Sequence, residues 1–266
     1  MSSGAGLPPL ERAQAESLRS LVREASERAA SSSFVIEGPH LLERAFESAA
    51  DRIKEVVFTE EALLSNSALA KRAQRKGISI FRATPKLAEK ISDTKTPQGV
   101  FAVISMPSQT DALPDKGVVI ALDDVQDPGN VGTIIRTASW FGASRILLST
   151  GCADPYSPKV LRATQGEIFG VAVGNRGDLR QNIVFLQKRG FQVVAATVEP
   201  SACLLYKMAF DQNVVLIFGS EASGISKPIL GLADGQIVIP KYGLGESLNV
   251  ATSAGIVLSE VMRKRS

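Results

Sequence analysis

Five runs in the second half of this chain, GVVIALD, RILLST, FQVVAAT, NVVLIFG and GQIVIP, are almost continuously apolar and rich in β-branched residues. A strand with one face in water alternates apolar and polar residues, so runs without alternation belong to strands covered on both faces. Helix-like stretches separate the five, which predicts a wound α/β domain around a parallel sheet. The first half carries the shorter runs FVIEG, IKEVVFT, ISIF and GVFAVIS between the helix-like stretches PHLLERAFESAA, NSALAKRAQRKG and TPKLAEKI, and reads as a smaller α/β domain. SMPSQTDALPDKG breaks the pattern with Ser, Pro, Asp and Gly. The expected organisation is an N-terminal helical extension over 1–32, a first domain over 33–106, a linker over 107–116 and a second domain over 117–266.

Composition narrows the chemistry. No apolar run approaches the ~18 residues of a membrane helix, and residues 1–32 have no apolar signal core, so a cytoplasmic protein without a membrane partner is expected. Cys152 and Cys203 stand far apart, in no metal-ligand spacing, and read as packed thiols; neither a metal site nor a disulfide framework is expected. The net charge of +3 permits an anionic partner. His40 is the single histidine, so a Ser-His-Asp, Cys-His or multi-His mechanism would rest on one residue. Chemistry is expected from Arg, Glu, Ser, Asn or Lys.

In open parallel sheets ligands bind beyond the carboxyl ends of the strands, and polar or glycine-rich loops follow three of them here. LDDVQDPGNVGTIIRTASWFG turns at Pro128, Gly129 and Asn130 into a helix whose Val131, Ile134, Ile135 and Ala138 form one buried stripe. Arg136 falls off that stripe, on the face of Thr133 and Trp140, as either a solvated Arg or one that meets a ligand. VVLIFGSEASGIS sets Glu221 between Gly219 and Gly224, which suggests close backbone approach or an ordinary turn. The third loop leads from GQIVIP to GESLNVATSAGIVLSEVMRKRS, where Ser247 is expected to cap an apolar helix. No G-x-G-x-x-G follows a strand and no G-x-x-x-x-G-K-[ST] occurs, which removes the main support for a dinucleotide or P-loop site.

Together the loops resemble the three motifs of the SpoU (TrmH) family of RNA ribose 2′-O-methyltransferases, of the SPOUT class. Asn130, Gly132, Arg136 and Ala138 match N-x-G-x-x-x-R-x-A, and Phe218, Gly219, Glu221 and Gly224 match F-G-x-E-x-x-G. Ile239, Pro240, Ser247, Leu248, Asn249, Val250, Ala254, Gly255 and Ile256 match I-P, S-L-N-V and A-G-I. FVIEGPHLLERA and TKTPQGVFAVI resemble that family's ribosomal-protein-like RNA-binding domain. Lys241 stands where Met commonly follows I-P, and Ala222 where Gly often follows the motif Glu.

The resemblance implies a trefoil-knotted, wound parallel-sheet methyltransferase domain behind a small α/β RNA-binding domain, working as a homodimer. It implies S-adenosylmethionine as cofactor and a ribose 2′-hydroxyl of structured RNA as acceptor, ribosomal RNA first and transfer RNA second. Asn130, Arg136, Glu221, Ser247 and Asn249 are the implied catalytic residues. Thr197, Phe218, Gly219, Ile239, Pro240, Leu248 and Asn249 are the implied cofactor contacts. The alternative is a non-catalytic RNA-binding protein that keeps the fold.

Because an Arg side chain is hard to deprotonate, Arg136 is expected to bind the hydroxyl or its flanking phosphate and to stabilise charge. Glu221 is expected to orient Arg136 or the acceptor nucleotide, and Ser247 and Asn249 to hold a ribose or a base edge. Lys71, Arg72, Arg75 and Lys76 share one helical stripe and are candidate RNA contacts, as is the terminal RKR.

Overall fold

The computed structural model describes residues 6–107 and 113–265, so the middle of the expected linker lies outside the described residues. The chain divides into two compact units. Unit 1 is Met1–Ser108 with Tyr156–Phe169, and unit 2 is Gln109–Pro155 with Gly170–Ser266.

Unit 1 is built on four strands, β1 (Ser33–Glu37), β2 (Ile53–Thr59), β3 (Ser79–Ala83) and β4 (Val100–Ser105), in the order β1-β4-β2-β3. β4 runs antiparallel to both neighbours, and β3 pairs parallel with β2. The expected extension is part of this unit. Pro8 and Leu10 bond to the main chain of Arg82 at 2.9 and 2.8 Å and so cover the edge of β3. The helix Arg12–Arg23 then buries Ala15, Leu18, Leu21 and Val22 in one cluster with Val35, Val57, Ile91, Phe101 and Val103. Each fully buried aliphatic side chain contributes about 1.5–3 kcal/mol, so this helix belongs to the core. Arg28 is buried because its guanidinium donates to the carbonyls of Leu21 and Val22, at 2.7 and 3.2 Å, where that helix ends.

Tyr156–Phe169 also departs from the sequence reading, which placed it in the second domain. Its ring Tyr156 lies 4.8 Å from Phe34, Arg162 makes two bonds to the Asp93 carboxylate at 2.6 and 2.9 Å, and Glu167 pairs with Arg44 at 2.8 Å. His40 is exposed and meets the carbonyl of Gln165 through Nε2 at 3.2 Å.

Unit 2 carries seven parallel strands: β5 (Val118–Asp123), β6 (Arg145–Ser149), β7 (Ala172–Gly177), β8 (Gln192–Thr197), β9 (Cys203–Leu204), β10 (Val214–Gly219) and β11 (Gly235–Val238). Their order is β7-β6-β5-β10-β8-β11-β9. β5 and β10 stand side by side at the centre, and the continuous apolar runs are buried as predicted. Val119, Ala121, Val215 and Ile217 pack with Ile183 and Leu186 of the helix Leu179–Lys188. The stripe Val131, Ile134, Ile135 and Ala138 is fully buried, as are Ala254, Val257, Leu258 and Val261 of the final helix, Val250–Arg263. That helix packs against Pro128–Trp140. Cys152 is buried, but Cys203 is exposed on the edge strand β9, so only one thiol is packed as expected.

Candidate active site

Because every strand of the sheet in unit 2 points the same way, the loops after β5, β10, β8 and β11 emerge at one edge. Strands β6 and β7 lie to one side of β5, and β8, β9 and β11 lie beyond β10, so the site sits where the winding changes direction.

Each loop is shaped by its own polar residues. After β5, Asp127 caps the helix Pro128–Trp140 by accepting from the Asn130 N–H at 2.8 Å. After β10, Ser220 and Gly224 exchange main-chain bonds of 3.1 and 2.9 Å, holding Glu221 in a tight turn. Gly224 lies at φ +68°, and a Cβ on Gly219 would collide with the Gly224 carbonyl and the Ile225 nitrogen. The close backbone approach suggested by these glycines is therefore the loop folding on itself. Asp123, not singled out from sequence, is buried at the end of β5 and accepts from the Ser226 N–H at 2.8 Å, tying the first loop to the second. The signal for it was the polar residue at the end of an apolar run.

Asn130, Glu221 and Asn249 meet. Asn249 Nδ2 donates to Asn130 Oδ1 at 2.8 Å and to Glu221 Oε1 at 2.6 Å. Glu221 Oε1 also accepts from the Val250 N–H at 3.3 Å. The cap of the final helix is Asn249, whose Oδ1 accepts from Ala251 and Thr252 at 3.0 and 3.2 Å. Ser247 lies two residues too early for the expected cap; it is exposed, with no hydrogen bond among the described residues. Nor does Glu221 orient Arg136 within the chain. Arg136 is exposed and, among the described residues, makes no hydrogen bond or ion pair. Trp140, one turn further along the same face, is 84% exposed.

The implied cofactor contacts surround the ends of β8, β10 and β11. Thr197 is half-buried opposite Val238, Gly219 ends β10, and Ile239 and Pro240 follow β11, half-buried. Leu248 is half-exposed. Phe218 differs: its side chain is in the core, leaving only main-chain atoms for a ligand. Lys241–Ser247 form an exposed segment in which no backbone hydrogen bond is made among the described residues. Free N–H and C=O groups, the side chains of Tyr242 and Leu244 and the Ser247 hydroxyl suit a ligand held through main chain and apolar contact. That is the chemistry an adenosyl-methionine cofactor presents, so these residues fit it.

In unit 1, Lys71, Arg75 and Lys76 are exposed. Arg72 is not free: it donates to the Phe46 carbonyl at 3.0 Å and lies 4.9 Å from the centre of the Phe46 ring. The terminal basic residues are engaged as well. Lys264 donates to the carbonyls of Tyr206 and Met208 at 2.9 and 2.7 Å, and Arg265 to those of Asp211 and Gln212 at 3.0 and 2.7 Å.

Comparison with known proteins agrees with this geometry. Residues 117–259 match the SpoU rRNA Methylase family, and residues 14–102 match the MRM3-like substrate binding domain. The chain is 33% identical to the 23S rRNA (guanosine(2553)-2′-O)-methyltransferase of Bacillus subtilis, over 87% of this chain and 89% of that protein. It is 31% identical to the 23S rRNA (uridine(2479)-2′-O)-methyltransferase of Streptomyces viridochromogenes, over 70% and 67%. Among solved structures, an AdoMet-bound rRNA methyltransferase from Sinorhizobium meliloti superposes with a TM-score of 0.82 at 28% identity, covering 97% of each chain.

Proposed function

Because this chain belongs to the SpoU rRNA methylase family, we propose that it methylates a ribose 2′-hydroxyl of ribosomal RNA, with S-adenosylmethionine as methyl donor. The observation that carries this reading is the joining of Asn130, Glu221 and Asn249 at the strand ends of a parallel sheet, with Arg136 uncommitted on the helix whose first turn holds Asn130. The two relatives with named targets act on different nucleosides, guanosine and uridine, so the base at the target is not carried by family membership.

In the reaction the ribose oxygen gains the methyl group and gives up its proton, which passes to solvent, and the sulfonium becomes a neutral thioether. S-adenosylmethionine, when bound, supplies the electrophilic methyl carbon. Thr197, Ile239, Pro240, Leu248 and the main chain of Phe218 and Gly219 would hold it. Arg136 offers charged donors to the developing oxyanion and to a flanking phosphate, which a neutral side chain would serve less well. Glu221 keeps Oε2 open as an acceptor, and Ser247 brings a free hydroxyl to the same edge.

The finer features of the reading are also proposals. Exposed Trp140, Tyr242 and Leu244 around the site favour a homodimer that covers them. The insertion of β10 between β5 and β8 suits the trefoil threading expected of the fold. Lys71, Arg75 and Lys76 provide a cationic stripe for RNA phosphates.

The test is transfer of labelled methyl from S-adenosylmethionine to ribosomal RNA lacking 2′-O-methyl marks, with mapping of the protected ribose. Transfer to one ribose is expected. Cofactor binding without transfer to any RNA would favour a binding protein that retains the fold. Exchanging Lys71, Arg75 and Lys76 for Ala is expected to raise the KM for RNA and leave kcat near its original value.

A further inference from the structure

The Asn249 side chain uses its entire hydrogen-bonding capacity inside the chain. A carboxamide has two N–H donors and one oxygen with two lone pairs. In Asn249 both donors are engaged, by Asn130 Oδ1 at 2.8 Å and Glu221 Oε1 at 2.6 Å, and the oxygen accepts from Ala251 and Thr252 at 3.0 and 3.2 Å. Nothing remains on the carboxamide for a ribose, a base edge or a cofactor.

The same bonds leave defined valences on the partners. Asn130 accepts at Oδ1, so its own amino group is a donor with no partner among the described residues. Glu221 is held at Oε1 by both Asn249 and Val250, which leaves Oε2 open. The residue type follows from this arrangement. Asp would cap the helix equally well but has no donor for Glu221, and Ser has a single donor where two are used.

We infer that Asn249 is a positioning residue. Its side chain sets the orientation of Glu221 and Asn130, joins the first and second loops to the start of the final helix, and touches neither substrate nor cofactor. Its effect on rate rests on the methyl-transfer reading; the bonds themselves belong to the free protein.

Two readouts test this separately. The first is proton exchange of the Asn249 carboxamide by NMR in the ligand-free protein, with the resonance assigned by its loss in Asn249→Ser. Its protons are expected to exchange at least ~10-fold more slowly than those of exposed Gln74, and to be unchanged by RNA or S-adenosylmethionine. Protection that arises only when one of these is added would overturn the inference.

The second readout is kinetic. Asn249→Ser keeps a capping oxygen but cannot serve both acceptors, so kcat is expected to fall ~10- to 10²-fold while both KM values stay within about 2-fold. An unchanged kcat with a raised KM would mean that Asn249 contacts a ligand, and would sink the inference. Wild-type protein that shows the protection yet transfers no methyl to any RNA would remove the functional reading and leave the positioning of Glu221 and Asn130 intact.

Discussion

The two ends of the final helix are both dense in polar groups, and they do opposite things. At its start, Asn249 binds Asn130 and Glu221, and that small network leaves an amino group and a carboxylate oxygen open. At its end, Glu260 is buried and bonded twice to Arg263 at 2.8 Å, while Lys264 and Arg265 close on four carbonyls of the segment before β10. At the ionic end each of the three basic side chains is paired within the chain, although Arg265 Nε is buried without a partner among the described residues. The start of the helix is the end with exposed capacity left for a ligand, in the open Glu221 oxygen and the Asn130 amino group.

The comparison predicts effects of different kind at the two ends. The largest is Arg136→Ala, expected to lower kcat by at least ~10²-fold with cofactor affinity and thermal stability nearly kept. Equal turnover by this variant would break the distinction at its active end. Next is Arg265→Ala, which leaves two carbonyls without their charged donor and is expected to cost about 1–2 kcal/mol in denaturant unfolding with kcat unchanged. A loss of activity at full stability would place that end in the site after all.

The smallest effect depends on pH. Arg263 and Lys264, by hydrogen bonding first and charge second, hold the Glu260 carboxyl down to about 2. A carboxyl depressed in the folded state stabilises it above the ordinary carboxylate pKa, and loses that contribution as pH falls through the folded value. The melting temperature of the wild type is therefore expected to exceed that of Glu260→Gln by a constant margin above about pH 5, with the margin closing toward pH 2. A margin independent of pH would mean that charge at Glu260 contributes nothing.

What could be read from sequence was set by short-range rules. The stripe Val131, Ile134, Ile135 and Ala138 follows from helical period, and the parallel sheet from runs without alternation. The order of those strands did not follow, because pairing between β10 and β5 joins residues about a hundred positions apart. The cap was misplaced by two residues, from Asn249 to Ser247, since either type caps a helix and only the backbone decides where the turn begins. Arg72 looked like its neighbours Lys71 and Arg75 because a charge pattern does not reveal whether a carbonyl lies within reach. The three site loops were legible as motifs, yet their joining through one carboxamide was not, since it depends on three distant segments arriving together.

Tyr156–Phe169 has a consequence for inheritance. Unit 1 is written in two pieces of the chain, and the second piece lies inside the stretch that matches the SpoU rRNA Methylase family. A single recombination event in the linker would deliver the first piece without Arg162, the partner of Asp93, and without Glu167, the partner of Arg44. Such a hybrid would join surfaces that had not been selected together. Exchange of unit 1 as a module would thus require two coordinated crossovers, whereas gradual change at its surface requires none.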